Sequence, residues 1–228
     1  MKLSFRLAVR LILLAGFGPL VLFLAAGDLG WTRGRIFAVF TFAYAIFGRL
    51  AILLKHPDLI SERIESLKKN NVEPWDRALV LLIGVVLPTA AVVVAGLDHR
   101  FRWSPELPAG IPAAALATMA LGGLLAQWAA LANRFFSAVV RIQDDRGQTV
   151  VTTGPYRFIR HPGYAGGLLF HLSIPFALGT LWPLVPTLAN AALTVLRTSL
   201  EDRALIRKLA GYAAYAGRTK RRLIPGIW

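Results

Sequence analysis

The chain has 228 residues, of which 56% are hydrophobic and only 17% are charged, and its formal net charge is +14. It contains no cysteine, which excludes disulfides, thiolate metal sites and cysteine nucleophiles. The length alone would suit one soluble domain, but the apolar residues occur in long blocks, which indicates an integral membrane protein.

Four apolar runs in the first part of the chain approach the length of about 20 residues that a helix needs to cross a bilayer. They lie at 11–26, 36–54, 78–96 and 111–131. The first reaches full length if residues 7–9 are included and Arg10 extends to the interface. A further apolar region at 164–196 is too long for one span, and a Gly-Thr-Leu-Trp-Pro turn at 179–183 interrupts it. The pattern predicts an all-α membrane protein of about six transmembrane helices, the last two forming a helical hairpin.

The excess of positive charge could indicate nucleic acid binding, but its distribution along the chain argues against this. With the N-terminus inside, 21 of the 26 lysine and arginine residues fall on inner segments and four on outer loops. Inner loops of membrane proteins carry such an excess, and anionic headgroups attract it. We therefore expect both termini in the cytosol, the lipid bilayer as a partner, no nucleic acid partner, and a location in a bacterial inner membrane.

The loops between these spans carry weaker signals. In the inner loop 55–77, Ile60, Ile64 and Leu67 follow a helical spacing, which predicts an amphipathic surface helix. Residues 149–152 are briefly strand-like. Trp103 in the outer loop is expected to anchor at the interface. Among the isolated polar residues, His56 and His99 are expected in loops, and Asn133 is expected to hydrogen-bond within the bundle. His171 suits a packed helix position as well as one that faces a cofactor.

The chain is predicted to divide into two parts. Residues 1–131 hold the first four transmembrane helices and the amphipathic inner loop. Residues 132–228 form a catalytic core with a cofactor loop at 152–166, the helical hairpin at 165–210 and a cytosolic tail at 211–228.

Two polar clusters stand out in this second part. Residues 154–164 place two arginines, a histidine and two tyrosines between turn-forming glycines and prolines. Polar side chains are costly near lipid, so such a cluster at a membrane edge is a candidate site. Further on, Arg197 and Glu201 are spaced to share one helix face, where they can form a local ion pair or serve a site. Asp202 lies about 100° further round the helix.

These clusters resemble the isoprenylcysteine carboxyl methyltransferase and phospholipid methyltransferase superfamily. The motif Gly-Pro-Tyr-x3-Arg-His-Pro-x-Tyr-x-Gly lies at 154–166, and Arg-x3-Glu-[Glu/Asp]-x2-Leu lies at 197–205. Gly-Tyr-x2-Tyr follows at 211–215 and Ile-Pro-Gly at 224–226. The resemblance covers 133–228. Many members have paired glutamates where this chain has Glu201 and Asp202, which leaves the role of Asp202 open.

The resemblance implies S-adenosylmethionine as the methyl donor, bound at the cytosolic face without a Rossmann sheet. The implied cofactor-binding residues are Gly154, Tyr156, Arg160, His161, Pro162, Tyr164, Gly166 and Glu201, and the implied catalytic residues are Arg197 and Glu201. The side chains suit this use. Tyrosine rings can pack on adenine or face the sulfonium, arginine can bind a carboxylate, and glycines allow close approach.

The resemblance implies an amphiphilic, lipid-like methyl acceptor that enters from the bilayer. An isoprenylcysteine-type carboxylate is expected first, with a phospholipid amine or a small thiol as alternatives. A carboxylate needs no general base, whereas an amine must arrive neutral or lose a proton. A more distant alternative is an NADPH-dependent reductase of the sterol-reductase kind, which shares an Arg-His-Pro-x-Tyr element. A non-catalytic membrane scaffold is a third class.

Overall fold

The computed structural model describes residues 5–224 and 228, and within them all regular structure is helical. The α-helices are α1 (Phe5–Ala26), α2 (Thr32–Lys55), α3 (Pro57–Glu65), α4 (Asp76–Leu81), α5 (Leu87–Phe101), α6 (Gly110–Ala132), α7 (Pro162–Leu178), α8 (Leu184–Lys208) and α9 (Tyr212–Arg218). A π-helical turn at Leu82–Val86 joins α4 to α5. Short 3-10 helices lie at Ser66–Lys68, Asp144–Arg146 and Gly154–Arg157. The predicted all-α class is confirmed.

The strand-like reading of 149–152 is wrong, because these residues are irregular. Val150 and Val151 instead pack against a cluster of buried side chains that includes Tyr156, Tyr212 and Tyr215. A strand needs a neighbouring strand for its backbone hydrogen bonds, and the described part of the chain offers none.

In the described part of the chain, four helical segments are long and apolar enough to cross a membrane. They are Val9–Ala26, Thr32–Lys55, Asp76–Phe101 and Gly110–Ala132. Large side chains such as Leu24, Phe47 and Leu121 remain mostly exposed on them. Exposed apolar surface of this extent suits contact with lipid. The four runs predicted from the sequence are therefore confirmed as apolar helices.

The turn between α7 and α8 meets the loop that follows α5. Its Leu181 N–H donates to Ser104 Oγ at 2.7 Å, and its Trp182 N–H donates to the buried Asp98 Oδ2 at 3.1 Å. The turn between α1 and α2 joins the same end, since Asp28 pairs with His99 at 3.0 Å. We call this the outer end of the bundle. His99 was expected in a loop but belongs to the last turn of α5.

The opposite end, here the inner end, holds the last turns of α2, α6 and α8 and the starts of α4 and α7. His56 Nε2 lies 3.0 Å from the carbonyl oxygen of Leu131, which joins the ends of α2 and α6. The hairpin α7–α8 thus runs between the same two ends as the four longer segments. This supports the predicted six spans, although crossing by the 17-residue α7 and by α8 stays a prediction.

Close backbone contact between α6 and α7 explains the glycine at 166. A Cβ atom on Gly166 would lie 2.5 Å from the carbonyl oxygen of Gly122, and one on Gly122 would lie 2.7 Å from the carbonyl oxygen of Gly166. Small residues at such a crossing let two membrane helices approach closely. Gly166 was expected to admit a cofactor, but the neighbour that needs the space is α6.

The inner loop forms the predicted surface helix as α3, but the residue most deeply buried against the bundle is Leu59 and not the predicted Ile60. Leu59 is fully buried against Ile52 of α2 and Ala130 of α6, while Ile60 is only partly buried. The side chains of Ile64 and Leu67 lie outside the described residues. Through Leu59, α3 is fastened to the inner end of the bundle.

The proposed orientation can be tested by labelling single cysteines, since the chain has none. Leu29→Cys lies in the outer turn, where Leu29 is 76% exposed, and Asn70→Cys lies in the exposed inner loop. We expect an impermeant maleimide to label position 29 but not position 70 in intact spheroplasts, and both after lysis. Labelling of position 70 from outside would overturn the orientation.

Candidate active site

A cavity of about 180 Å³ lies at the inner end of the bundle. Parts of α3, α7, α8 and α9 line it, together with a connecting segment, residues 133–151, and a motif loop, residues 154–164. Six residues predicted as functional line this cavity: Tyr156, Arg160, His161, Tyr164, Arg197 and Glu201. Gly154, Pro162 and Gly166 do not, so the structure separates cavity residues from residues that shape the backbone.

The motif loop owes its path to Gly154 and Pro162. Gly154 has φ +59°, and a Cβ atom there would lie 3.0 Å from Ala132 Cβ and 3.3 Å from Trp128 Nε1 of α6. Only glycine combines this backbone with that contact at low cost. Pro162 is the first residue of α7, where its missing N–H costs no helical hydrogen bond. Both residues therefore position the loop against the bundle, and neither lines the cavity.

Tyr164 and Glu201 form the link between α7 and α8. The Tyr164 hydroxyl donates to Glu201 Oε2 at 2.5 Å. The Arg197 guanidinium lies over the Tyr164 ring, 5.3 Å from its centroid, and the His161 ring stacks at 5.8 Å. The ring expected to face a sulfonium thus already faces a cation of the protein. Its hydroxyl holds Glu201 in place at the cavity wall.

Arg197 pairs with Asp76 at the start of α4, and the local Arg197–Glu201 pair considered from the sequence is absent from the ion pairs of the described residues. Arg197 Nε and Nη2 donate to the two Asp76 oxygens at 2.7 and 3.1 Å, and Nη2 also donates to the Ala138 carbonyl oxygen at 2.8 Å. Asp76 is fully buried and accepts from the Val140 N–H as well. Arg197 therefore joins α8 to α4 and to the connecting segment.

The role of Asp202 was left open by the sequence, and its helical spacing predicts that it points away from Glu201. It does point away, but into the protein, where its exposure is 0%. It accepts hydrogen bonds from Arg160, from Arg222 and from the hydroxyl of Tyr212, and it lies 3.2 Å from His161 Nε2. Asp202 is thus the centre of a polar cluster that joins the motif loop, α8 and the tail.

Arg160 was predicted to bind a carboxylate of the cofactor, but the structure gives its donors other partners. Nε and Nη2 bind both oxygens of Asp202 at 2.8 and 2.7 Å. Nη1 donates to the carbonyl oxygens of Thr219 and Lys220 at 2.9 and 3.1 Å. Arg160 therefore fastens the tail to the motif loop. Residues 225 and 226 of the predicted Ile-Pro-Gly motif lie outside the described residues.

Three tyrosines form the wall between the motif loop and the tail. The Tyr215 hydroxyl donates to the Tyr156 carbonyl oxygen at 2.6 Å, and the Tyr156 hydroxyl receives a bond from Asn133 Nδ2 at 3.3 Å. Burial raises the pKa of Tyr215 to about 12. Burial, and then the nearby Asp202 carboxylate, raise the pKa of Tyr212 well above its usual value. The phenols of Tyr212 and Tyr215 therefore stay neutral near pH 7 and can donate hydrogen bonds.

Sequence reasoning missed the connecting segment as part of the site. Arg141 donates from Nη2 to the buried Glu62 of α3 at 2.7 Å and from Nη1 to Asp145 at 2.9 Å. Gln143 Nε2 donates to the Phe135 carbonyl oxygen at 2.7 Å. Glu62 and Arg141 are 79 positions apart, and no periodic pattern connects residues at such a distance. His171, in contrast, bonds the Gly167 carbonyl within α7 and does not line the cavity.

Some charged side chains of the cavity wall have an ion-pair partner and others do not. Among its described residues are four arginines and a single carboxylate, Glu201. Arg141, Arg160 and Arg197 each bind a buried carboxylate that is not part of the wall. Glu201 forms no ion pair within the described chain and is held only by the Tyr164 hydroxyl. It therefore offers its negative charge to the cavity.

Part of the chain matches a known protein family. Residues 111–210 match the family model described as phospholipid methyltransferase. The match covers 100 of the 228 residues, so similarity to the phospholipid methyltransferase family is shown for this segment. It runs from α6 to α8 and includes both of the longer motifs, so the resemblance seen in the sequence is confirmed. The family indicates a membrane methyltransferase. A comparison with curated proteins gives no match.

The burial of Asp202 predicts that its substitution strongly lowers the stability of the protein. Removing one partner from a buried charged cluster costs about 3–5 kcal/mol, which corresponds to roughly 6–20 °C in the unfolding midpoint of a chain this size. We expect Asp202→Asn to lower the midpoint in detergent by that amount. Glu201→Gln loses one hydrogen bond and should cost about 1 kcal/mol. The exposed Asp144→Asn serves as the control. Equal midpoints for all three variants would contradict the assignment of Asp202.

Proposed function

We propose that this protein is an S-adenosylmethionine-dependent methyltransferase that methylates a lipid-like acceptor at the inner leaflet. The observation that carries the proposal is Glu201, a carboxylate that faces the cavity within the matched segment and has no cationic partner among the described residues. A carboxylate so placed attracts a cation, and both the methyl donor and an amine acceptor are cationic.

The residues of the cavity fit this cofactor. S-adenosylmethionine, when bound, supplies an electrophilic methyl group on a positively charged sulfur. Glu201 can accept hydrogen bonds from the ammonium group or the ribose hydroxyls of S-adenosylmethionine. His161 can hydrogen-bond its amino-acid end or its ribose. Tyr156 and Tyr212 line the cavity with neutral aromatic surface that suits adenine. These roles follow the motif residue by residue, except that Arg160 and Arg197 act through their carboxylate partners.

The contribution of the chain to catalysis is alignment. Methyl transfer is an in-line displacement, so much of the rate comes from holding the acceptor atom and the donor in register. The Tyr164 hydroxyl fixes Glu201 by a hydrogen bond. The Tyr164 ring is in turn held by the Arg197 guanidinium, which lies over it, and by the His161 ring, which stacks on it. A group this constrained loses little freedom when a ligand binds. Arg197 is accordingly a positioning residue.

For the acceptor, the sequence favoured an isoprenylcysteine-type carboxylate, but Glu201 favours the phospholipid amine. A second carboxylate brought next to Glu201 would meet like-charge repulsion. A primary amine would be attracted, and Glu201 can accept the proton that the amine must lose. The carboxylate remains the second candidate, supported by the four arginines of the cavity wall.

The proposal is tested by titrating the purified protein with S-adenosylmethionine and, separately, with NADPH. We expect saturable binding of S-adenosylmethionine and none of NADPH. Methyl transfer is then measured with phosphatidylethanolamine, with a farnesylcysteine analogue and with a small thiol. Base-stable N-methyl product supports the amine, and base-labile methyl ester supports the carboxylate. Binding of NADPH alone would overturn the proposal.

Glu201→Gln gives the sharpest single-residue test. The substitution keeps the size and one acceptor oxygen but removes the charge that a partly dry site strengthens. We expect monodisperse elution in detergent and a loss of at least about tenfold in methyl transfer. Glu65→Gln, in an exposed position of α3, is the matched control and should retain activity. Near-normal turnover by Glu201→Gln would leave this residue with a structural role only.

A further inference from the structure

Arg63 of α3 is the one arginine of the cavity wall without a carboxylate partner among the described residues. The other three, Arg141, Arg160 and Arg197, form ion pairs at 2.7–2.9 Å. Arg63 is half-buried and has no side-chain hydrogen bond within the described chain. Its guanidinium instead lies over the Phe136 ring, 5.3 Å from the centroid.

The surroundings of Arg63 add positive charge. Burial lowers the pKa of Arg63 from its usual value, and the neighbouring guanidiniums of Arg49 and Arg197 lower it further. Partly buried cations without a counter-ion are costly, and proteins that retain them use an anion to compensate. The described chain supplies no such anion, so the geometry leaves room for one from a ligand.

The position of Arg63 suits a lipid headgroup. Its helix, α3, follows the inner end of α2 directly and is fastened there through Leu59. Leu54, at the last turn of α2, is 85% exposed, as expected for a residue at the lipid boundary. Arginine presents a planar fork of donors that matches the oxygens of a phosphate. Phosphates of bilayer lipids lie at this level, just beyond the ends of the spanning helices.

We propose that Arg63 binds the phosphodiester group of the phospholipid acceptor. This rests on the proposed function, because it assumes that the cavity holds the acceptor. In this arrangement Arg63 takes the negative phosphate and Glu201 takes the amine, so the two uncompensated side chains of the cavity wall match the two charges of a zwitterionic headgroup. Both side chains line the cavity, and none of the ion pairs of the described residues joins them.

The test measures ligand binding without turnover. Dihexanoylphosphatidylethanolamine, dihexanoylglycerol, inorganic phosphate and S-adenosylmethionine are each titrated into purified protein, and the shift of the unfolding midpoint gives each affinity. We expect the phospholipid to stabilise the native protein and the diacylglycerol, which lacks phosphate, to have little effect. Arg63→Gln should weaken phospholipid binding about tenfold to a hundredfold, the range for a lost bond to a charged group. Its affinity for S-adenosylmethionine should be unchanged.

Two further variants make the result specific. Arg63→Lys keeps the charge but loses the fork, so it should bind the phospholipid with intermediate affinity. Arg157→Gln is the matched control: Arg157 also lies 5.3 Å from a phenylalanine ring, that of Phe158, but it is exposed and outside the cavity wall. It should bind the phospholipid like the native protein.

Several outcomes would overturn the assignment of Arg63. These are unchanged phospholipid affinity in Arg63→Gln, a selective loss of S-adenosylmethionine affinity, or stabilisation by inorganic phosphate as strong as that by the phospholipid. If the native protein fails to bind S-adenosylmethionine while Arg63→Gln still loses the phospholipid, the proposed methyltransferase function fails and the phosphate site stands.

Discussion

Charge compensation at the edge of the bilayer is the constraint on which the inner end of this protein depends. Ionised side chains near lipid are costly unless they are paired. The structure meets this cost with three buried carboxylates, Asp76, Asp202 and Glu62, each bound by an arginine from a distant part of the chain. These pairs join α4 to α8, α8 to the motif loop, and α3 to the connecting segment. The cavity exists because the pairs hold its walls at fixed separations.

The same pairs decide which side chains remain for chemistry. An arginine whose donors are taken by a buried carboxylate contributes position and little free charge. Once these pairs are formed, the described wall keeps one carboxylate, Glu201, and one guanidinium, Arg63, that have no ion partner. The paired arginines hold the walls, and the unpaired residues face the cavity. A zwitterionic headgroup and a cationic methyl donor fit a wall of this kind. A purely anionic ligand would leave Glu201 uncompensated, and a purely apolar ligand would leave both charges uncompensated.

The sequence predicted what depends on local patterns. The apolar runs mark the four long helices, and the turn at 179–183 marks the hairpin. The two longer motifs contain the six cavity residues that were predicted as functional. It did not predict the partners of Arg197 or Arg141, because Asp76 and Glu62 lie 121 and 79 positions away and helical spacing carries no information at that range. The helix neighbours of Gly154 and Gly166 were not predicted for a related reason. A glycine signals close approach, but the sequence does not say whether the neighbour is a ligand or another helix.

The adjacent carboxylates of α8 show how one helix supplies both a residue that lines the cavity and a residue that forms buried ion pairs. Neighbouring residues on a helix point about 100° apart, so Glu201 and Asp202 cannot share a face. Glu201 reaches the cavity, and Asp202 turns into the cluster that holds the motif loop and the tail. The shorter side chain suits the second position. Asp202 is fully buried among four partners, where one more methylene would force them apart at the cost of overpacking. The departure from a glutamate pair therefore follows from the packing around position 202, and the carboxylate that faces the cavity keeps the longer reach.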